Sequence, residues 1–427
     1  MRISTIQTFN NGNQGIQDNY AKVTRTQEQV SSGKRLLSPA DDPVATVRLL
    51  QLDQEAGRLE QFKSNMSAAT NSLNQEEATL NSVTNILQRV REITLQAGNG
   101  ALDASDRQAL AQELTEREEE LFGLFNSRNA RGEYLFGGFQ SQTPPFVREP
   151  NGTYTYEGDQ GQRSIQIAGS KQLAINDNGK DLFVDVGNVN RVVTERTLPA
   201  DPAVPFPRIS LGVVEDKTTY DTKFYPNNTL SISIGPGNTY TITGDAPVPG
   251  PGDPGYPSAV PVSGTFEPNE ENNLQIRIAG VVVNLDGALQ DGDTFTIKPG
   301  DTDDTGEKRS ILQNIAFLRE TLEDPGNSPE DKLLRRDKLA ISLENVDNAM
   351  NSVLSVQTSI GARLNVIEST GNENAEVSLI NTKVQAELSE LDYAEALSRL
   401  SLESVVLQAA QQSYVKISGL SLFNLLR

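Results

Sequence analysis

From Ile6 onward, apolar or bulky residues return in alternating steps of three and four: Ile6, Phe9, Ile16, Tyr20, Val23 and Val30, with Asn13 and Gln27 filling the seam. That period sets one narrow apolar face on a helix, the seam of a coiled coil. A lone helix cannot bury such a face, so this stretch needs a partner. The other end of the chain offers one: a stripe from Leu400 through Leu407, Ala410, Tyr414, Ile417 and Leu420. The two ends are expected to zip together and against neighbouring copies; the plainer reading packs each on the chain's own long helices.

Between the ends the period changes twice. The first helix should stop at Ser31-Ser32-Gly33, with Gly33 taking the left-handed conformation past its end. Asp42 then caps a second helix with Pro43 in its first turn, and Asp41 beside it suits the helix dipole. That helix is long, with a seam from Leu52 and Leu59 to Leu87, Val90 and Ala97; Gly98-Asn99-Gly100 ends it. Asp103 can cap a third, which carries Leu110, Leu114, Leu121 and Leu124 and must run back antiparallel because the loop is short.

From about residue 140 to 305 the period is two. Strand-like runs include Thr153 to Tyr156, Ile165 and Ile167, Leu230 to Ile234, Leu274 to Ile278, Val281 to Leu285, and Phe295 and Ile297. Asn151-Gly152, Gly235-Pro236-Gly237 and Ala279-Gly280 punctuate them as turns. Residues 246–261 read as an exposed Pro/Gly loop. Helical period returns at Ile311, Ile315, Leu318 and Leu322, then after Ser328-Pro329 along Leu339, Leu343, Val346, Met350, Val353, Ile360, Leu364 and Ile367. A last helix is expected after Gly371.

The predicted fold is therefore α+β, elongated and multidomain. Residues 1–40 with 392–427 form a terminal coiled-coil domain, 41–139 with 306–391 a long helical bundle, and 140–305 an inserted all-β domain.

Composition removes several kinds of chemistry. The chain of 427 residues has no cysteine, histidine or tryptophan, which excludes a Cys or His nucleophile, a Ser-His-Asp triad and a Cys/His zinc site. Its net charge of -20 argues against nucleic acid and anionic membranes, and no apolar run is long enough to insert in a bilayer. The N-terminus lacks a continuous apolar stretch of the kind a secretory signal carries. No cofactor is expected.

Several segments resemble the flagellin superfamily of bacterial axial proteins. Ser31-Ser32-Gly33-Lys34-Arg35 followed by Asp41-Asp42-Pro43 is similar to that superfamily's loop after the first helix. Leu87 to Ile93 resembles its inner helix, and Leu422 to Arg427 its C-terminus. Met1-Arg2-Ile3-Ser4-Thr5 and Tyr134-Leu135-Phe136-Gly137-Gly138 are similar to the family at the junction of hook and filament. The resemblance implies an adaptor, not an enzyme, packed between the first hook-associated protein and flagellin in a ring or helical array of copies. It further implies type III export to the cell exterior without a cleaved signal, with a cytoplasmic chaperone holding the C-terminal helix beforehand, and termini that fold on assembly.

Two alternatives remain at this level. One is a bulk filament subunit. The other is an extracellular enzyme or carbohydrate-binding module in the β insertion, where Asp291, Asp293, Asp301, Asp303 and Asp304 supply carboxylates. The run from Asp301 to Gly306 starts like a calcium loop, but Leu312 stands where its bidentate glutamate belongs, so solvated turn acids explain it better.

Overall fold

The structure is a computed structural model and describes residues 5–197, 207–226, 228–244, 263–266, 274–300 and 305–425. The chain forms two compact units. Met1–Ser67, Gln166–Lys171 and Ile367–Arg427 make the first, and Ala68–Ile165 with Gln172–Val366 the second. Two long helices, α2 (Pro43–Ala97) and α6 (Pro329–Ser389), contribute to both.

In the first unit α1 (Thr5–Ser32) packs on α7 (Tyr393–Leu425). Gly33 ends α1 at φ +70°, a conformation that strains any residue with a Cβ. Ala45 N–H donates to Asp42 Oδ1 at 3.0 Å, the expected cap of α2. Gly371 does not start a helix: α6 runs through it for 61 residues, and an added Cβ there would meet only Met66 Sδ at 3.9 Å. The break falls at Glu390 to Asp392 instead. There the backbone bonds to the loop after α1, Arg35 N–H to Ser389 O at 2.8 Å and Leu391 N–H to Gly33 O at 3.1 Å. Those groups are lost to the helical ladder, and Asp392 restarts it by accepting from Ala394 N–H at 2.9 Å.

The second unit holds a helical bundle. Its part of α2 is joined by α3 (Ala104–Phe125), α5 (Ile311–Glu323) and the first part of α6. Asn81 meets Gln357 and Arg91 meets Asp347, so α2 and α6 run antiparallel. Leu73, Leu80, Val83, Leu87 and Val90 on α2, Leu114 and Leu121 on α3, Ile315 and Leu318 on α5, and Val346 and Val353 on α6 are all buried. Each such side chain contributes roughly 1.5–3 kcal/mol. Caps fix the helix starts: reciprocal boxes at Asp103/Asp106 and Ser310/Gln313, and a matching exchange between Ser328 and Asp331.

Past α3 the chain makes two short antiparallel pairs, β1 (Phe146–Arg148) with β2 (Tyr154–Tyr156) and β3 (Ser164–Gln166) with β4 (Gln172–Ala174), then a π turn at Lys180–Val184. The next elements are β5 (Val192–Thr197), β6 (Arg208–Ile209), β7 (Val213–Val214) and α4 (Lys217–Lys223). They lead into β8 (Leu230–Gly235), β9 (Thr239–Gly244), β10 (Ser263–Thr265), β11 (Leu274–Ile278), β12 (Val281–Asp286) and β13 (Thr294–Pro299).

One sheet has the order β10-β9-β8-β13-β5 and the other β11-β12-β6, with β7 also on β12. Ile232, Ile242 and Phe295 of the first share one core with Ile276, Ile278 and Val283 of the second. This is a sandwich. Tyr220 and Phe224, from and just after α4, fill the same core, so the insertion is β-rich rather than purely β. Polar bonds fasten it to α6: Arg208 pairs with Asp286 and Asp337, and Val189 N–H donates to Asn345 Oδ1 at 3.0 Å. Residues 246–261 lie outside the described residues.

Candidate assembly interface

The helices α1 and α7 meet in reversed order. Gly12 lies at Tyr414, Thr26 Oγ1 donates to Glu403 Oε2 at 2.7 Å, Arg399 Nη2 donates to Gln29 Oε1 at 3.4 Å, and Gly33 lies at the Tyr393 hydroxyl. The pair is antiparallel.

Among the described side chains of α1, the less exposed positions include Gly12, Ile16, Asn19, Val23, Thr26 and Val30, in steps of four and three, with Thr24 and the buried Gln29 beside them. Ile16, Val23 and Val30 of the anticipated stripe therefore lie on this face. Tyr20 stands 64% exposed beside it, and Asn13 and Gln27 are exposed too. Small and polar residues take their places because the seam must clear the Tyr414 ring and satisfy the Glu403 carboxylate. On α7, Leu400, Leu407, Ala410 and Tyr414 are half-buried along with Glu403, and Ala396 is buried. The side chains of Ile6, Phe9, Ile417 and Leu420 lie outside the described residues.

The loop from Gly33 to Asp42 is tied on both sides. Gln29 Nε2 donates to Arg35 O at 2.6 Å, and Arg35 Nη2 donates to Leu388 O at 2.8 Å. Ser32 Oγ donates to Gln29 O at 3.3 Å. Asp41 accepts the N–H groups of Leu37 and Ser38 and the Ser38 hydroxyl, and pairs with Arg25 at 2.6 Å. Those donors, Leu37 N–H foremost, hold its carboxyl below the usual aspartate range. The paired acids Asp41 and Asp42 thus divide the work: one locks the turn and the other caps α2 ahead of Pro43. The tip of the β3–β4 pair is held in the same unit by Asn65, which donates to Gln166 O at 2.7 Å, and by Lys171, which pairs with Glu373 at 2.9 Å.

Much apolar surface in this unit is left open. Val44, Val47 and Leu50 on α2, Leu379 and Ile380 on α6, and Leu402, Val405, Val406 and Val415 on α7 are all exposed. Sequence periodicity missed this second set on α7, although the run Leu402, Val405, Val406 carries the signal. Contiguous exposed apolar surface of this kind marks candidate interaction sites.

Of the acids singled out in the β insertion, Asp291 is exposed and Asp293 is buried with structural partners. Asp293 accepts Gln290 N–H at 2.7 Å and pairs with Arg196 at 3.2 Å, locking a turn. Asp301, Asp303 and Asp304 lie outside the described residues. Among those described, no cluster of three acids is placed to hold a metal ion, and no helix is long and apolar enough to cross a membrane.

With the terminal helices closed on one another and apolar faces left open, the chain is matched by known proteins. Residues 3–141 match the family described as the bacterial flagellin N-terminal helical region. Over those residues the chain is flagellin-like. Its particular likeness is to flagellar hook-associated protein 3: the Escherichia coli K12 protein is 23% identical over 425 residues, spanning 100% of this chain and 99% of that one. The crystal structure of flagellar hook-associated protein-3 from Legionella pneumophila is 28% identical, covers 79% of this chain and 98% of that one, and superposes with a TM-score of 0.64. That of the flagellar junction protein FlgL from the same organism is 27% identical, covering 80% and 100%, with a TM-score of 0.61.

Proposed function

We propose that this chain is the adaptor that joins the hook, through the first hook-associated protein, to the flagellin filament. The observation that carries the reading is the end-to-end likeness to hook-associated protein 3, spanning 100% of this chain and 99% of its relative. Copies pack through the terminal pair, residues 1–40 with 392–427, while residues 41–139 with 306–391 form the long helical bundle domain and 140–305 the β-rich domain. Ile6, Phe9, Tyr20, Ile417 and Leu420 supply contacts to neighbours, and Ser32, Gly33, Asp41, Asp42 and Pro43 hold the connecting loop in the shape assembly needs.

A self-assembling chain of net charge -20 associates through apolar surface against some charge repulsion, and the open residues of α2, α6 and α7 provide that surface. Export runs through the flagellar type III route to the cell exterior without a cleaved signal, a cytoplasmic chaperone first shielding the C-terminal helix. Copy number in isolated appendages tests the reading against a bulk filament subunit. An adaptor is a minor band beside flagellin; a major band contradicts it.

A further inference from the structure

Four asparagines in the chain stand directly before a glycine: Asn11, Asn99, Asn151 and Asn178. In such a pair the backbone nitrogen of the glycine can attack the asparagine side-chain amide, because glycine puts no side chain in the way. Two features of the fold decide whether it does: how the amide carbon is held, and whether the glycine N–H is free.

Asn11 lies inside α1, where the N–H of Gly12 is engaged in the helical ladder. Asn178 is 7% exposed and tied on both sides. Its Oδ1 accepts Asp181 N–H at 2.9 Å, its Nδ2 donates to Asp181 Oδ2 at 2.8 Å, and Gly179 N–H donates to Phe136 O at 2.8 Å. The other two asparagines are exposed and bonded alike. Asn151 Oδ1 accepts Thr153 N–H at 3.1 Å, and Asn99 Oδ1 accepts Ala101 N–H at 3.2 Å. In each the bond folds the side-chain carbonyl back toward the glycine nitrogen. The donor also stabilises the negative charge that an attack would place on the oxygen.

The two differ at the nucleophile. Gly152 N–H donates to Glu149 O at 2.9 Å in the turn between β1 and β2. Gly100 N–H has no acceptor among the described residues, and a Cβ added at Gly100 would meet nothing within 4 Å, so solvent base can reach it.

We infer that Asn99, in the turn between α2 and α3, is the site of spontaneous deamidation among these pairs. The Gly100 nitrogen gives its proton to solvent base and bonds to Asn99 Cγ; the Cγ–Nδ2 bond breaks and ammonia leaves. Water then opens the cyclic imide at either carbonyl, yielding aspartate or isoaspartate, with nothing oxidised or reduced. Either product adds a negative charge ahead of the Asp103 cap. The isoaspartate form also lengthens the backbone of a turn closed by Leu102 N–H on Asn99 O at 3.2 Å.

The test holds the full-length chain in mildly alkaline buffer and follows each asparagine by peptide mapping with mass spectrometry. Conversion at Asn99 is expected about fivefold or more faster than at Asn151, the rate factor that one retained backbone hydrogen bond corresponds to. Asn11 and Asn178 should be slower still. In concentrated guanidinium chloride the four rates should draw together, because the bonds that separate them are gone. A folded-state rate at Asn151 equal to or above that at Asn99 overturns the assignment, and so does an Asn99 lead that persists undiminished in denaturant.

Gly100→Ala gives an independent readout. The methyl has room in the fold but obstructs the attacking nitrogen, so conversion at Asn99 should slow several-fold while the melting temperature stays unchanged. An unchanged rate at Asn99 contradicts attack by the Gly100 nitrogen.

Discussion

Thr26 and Glu403 are 377 residues apart in sequence, yet the Thr26 hydroxyl donates to the Glu403 carboxylate at 2.7 Å. The bond lies in the seam between α1 and α7, with Gly12 against Tyr414 on one side and Gln29 against Arg399 on the other. Polar pins of this kind fix register more than they add stability, because a slipped seam would leave a half-buried carboxylate unsatisfied. Replacing Thr26 with Val removes the donor and leaves the charge. The expected loss is about 1–2 kcal/mol, read as faster amide hydrogen exchange in α1 with little change in the second unit. Adding Glu403→Leu removes the orphaned carboxylate and recovers part of the protection. No change in α1 on Thr26→Val would show that the register is set elsewhere.

Gly12 and Gly15 make an internal contrast. A Cβ on Gly12 would sit 2.9 Å from Tyr414 Cδ2, whereas one on Gly15 meets nothing within 4 Å. Glycine to alanine inside an exposed helix ordinarily stabilises by up to about 1 kcal/mol. Gly15→Ala should show that gain in helicity by circular dichroism. Gly12→Ala should lose it to the tyrosine ring, and Gly12→Ala with Tyr414→Ala should regain helix at position 12 at the expense of packing. Equal gains at both glycines would mean that the Tyr414 ring does not lie on α1.

These contrasts show where periodicity reads the chain and where it stops. The heptad Leu339, Val346, Val353, Ile360 and Ile367 is buried along α6 as far as Ile367, as its spacing predicts, and the caps at Asp42, Asp103 and Ser328 follow from local hydrogen bonding. In α1 the pattern favours Tyr20 because it is bulky. The seam instead selects Gly12, Asn19 and Thr26, whose fit depends on side chains that lie hundreds of residues away. The break at Glu390 is invisible to the sequence for the same reason: Gly33 and Arg35 impose it through long-range backbone bonds, while Gly371, the local breaker, sits inside a helix. Helix α4 is only seven residues long, too short for a period to stand out from the strands around it.

The loop after α1 should respond to acid through Asp41. Leu37 N–H, Ser38 and Arg25 hold its carboxyl below the ordinary range. Its contribution to stability is therefore present in full above the usual value of about 3.9 and is lost as pH falls through the lower folded value. An NMR titration should place the Asp41 midpoint below that of an aspartate in a model peptide, and Asp41→Asn should remove this part of the acid response. A midpoint at or above the ordinary value contradicts the observed donors.

Glu76 should behave in the opposite sense. It is 1% exposed and accepts Asp177 N–H at 3.0 Å. Burial, then the Asp177 carboxylate, pushes its carboxyl well up, against the opposing pull of that N–H and the charges of Arg363 and Arg163. The folded state thus favours the neutral acid. Its stability contribution is complete below the unfolded value of about 4.3 and falls as pH rises toward the folded one. Glu76→Gln should match the natural chain in melting temperature at acid pH and exceed it increasingly as pH rises. A variant that is less stable at every pH would assign Glu76 an ionised, bonded role.

The central claim concerns place, and immunogold labelling of intact flagella measures place. An adaptor between hook and filament gives one narrow band of gold at the proximal end of each filament. Gold along the filament's whole length, or on the cell body with bare flagella, contradicts the account.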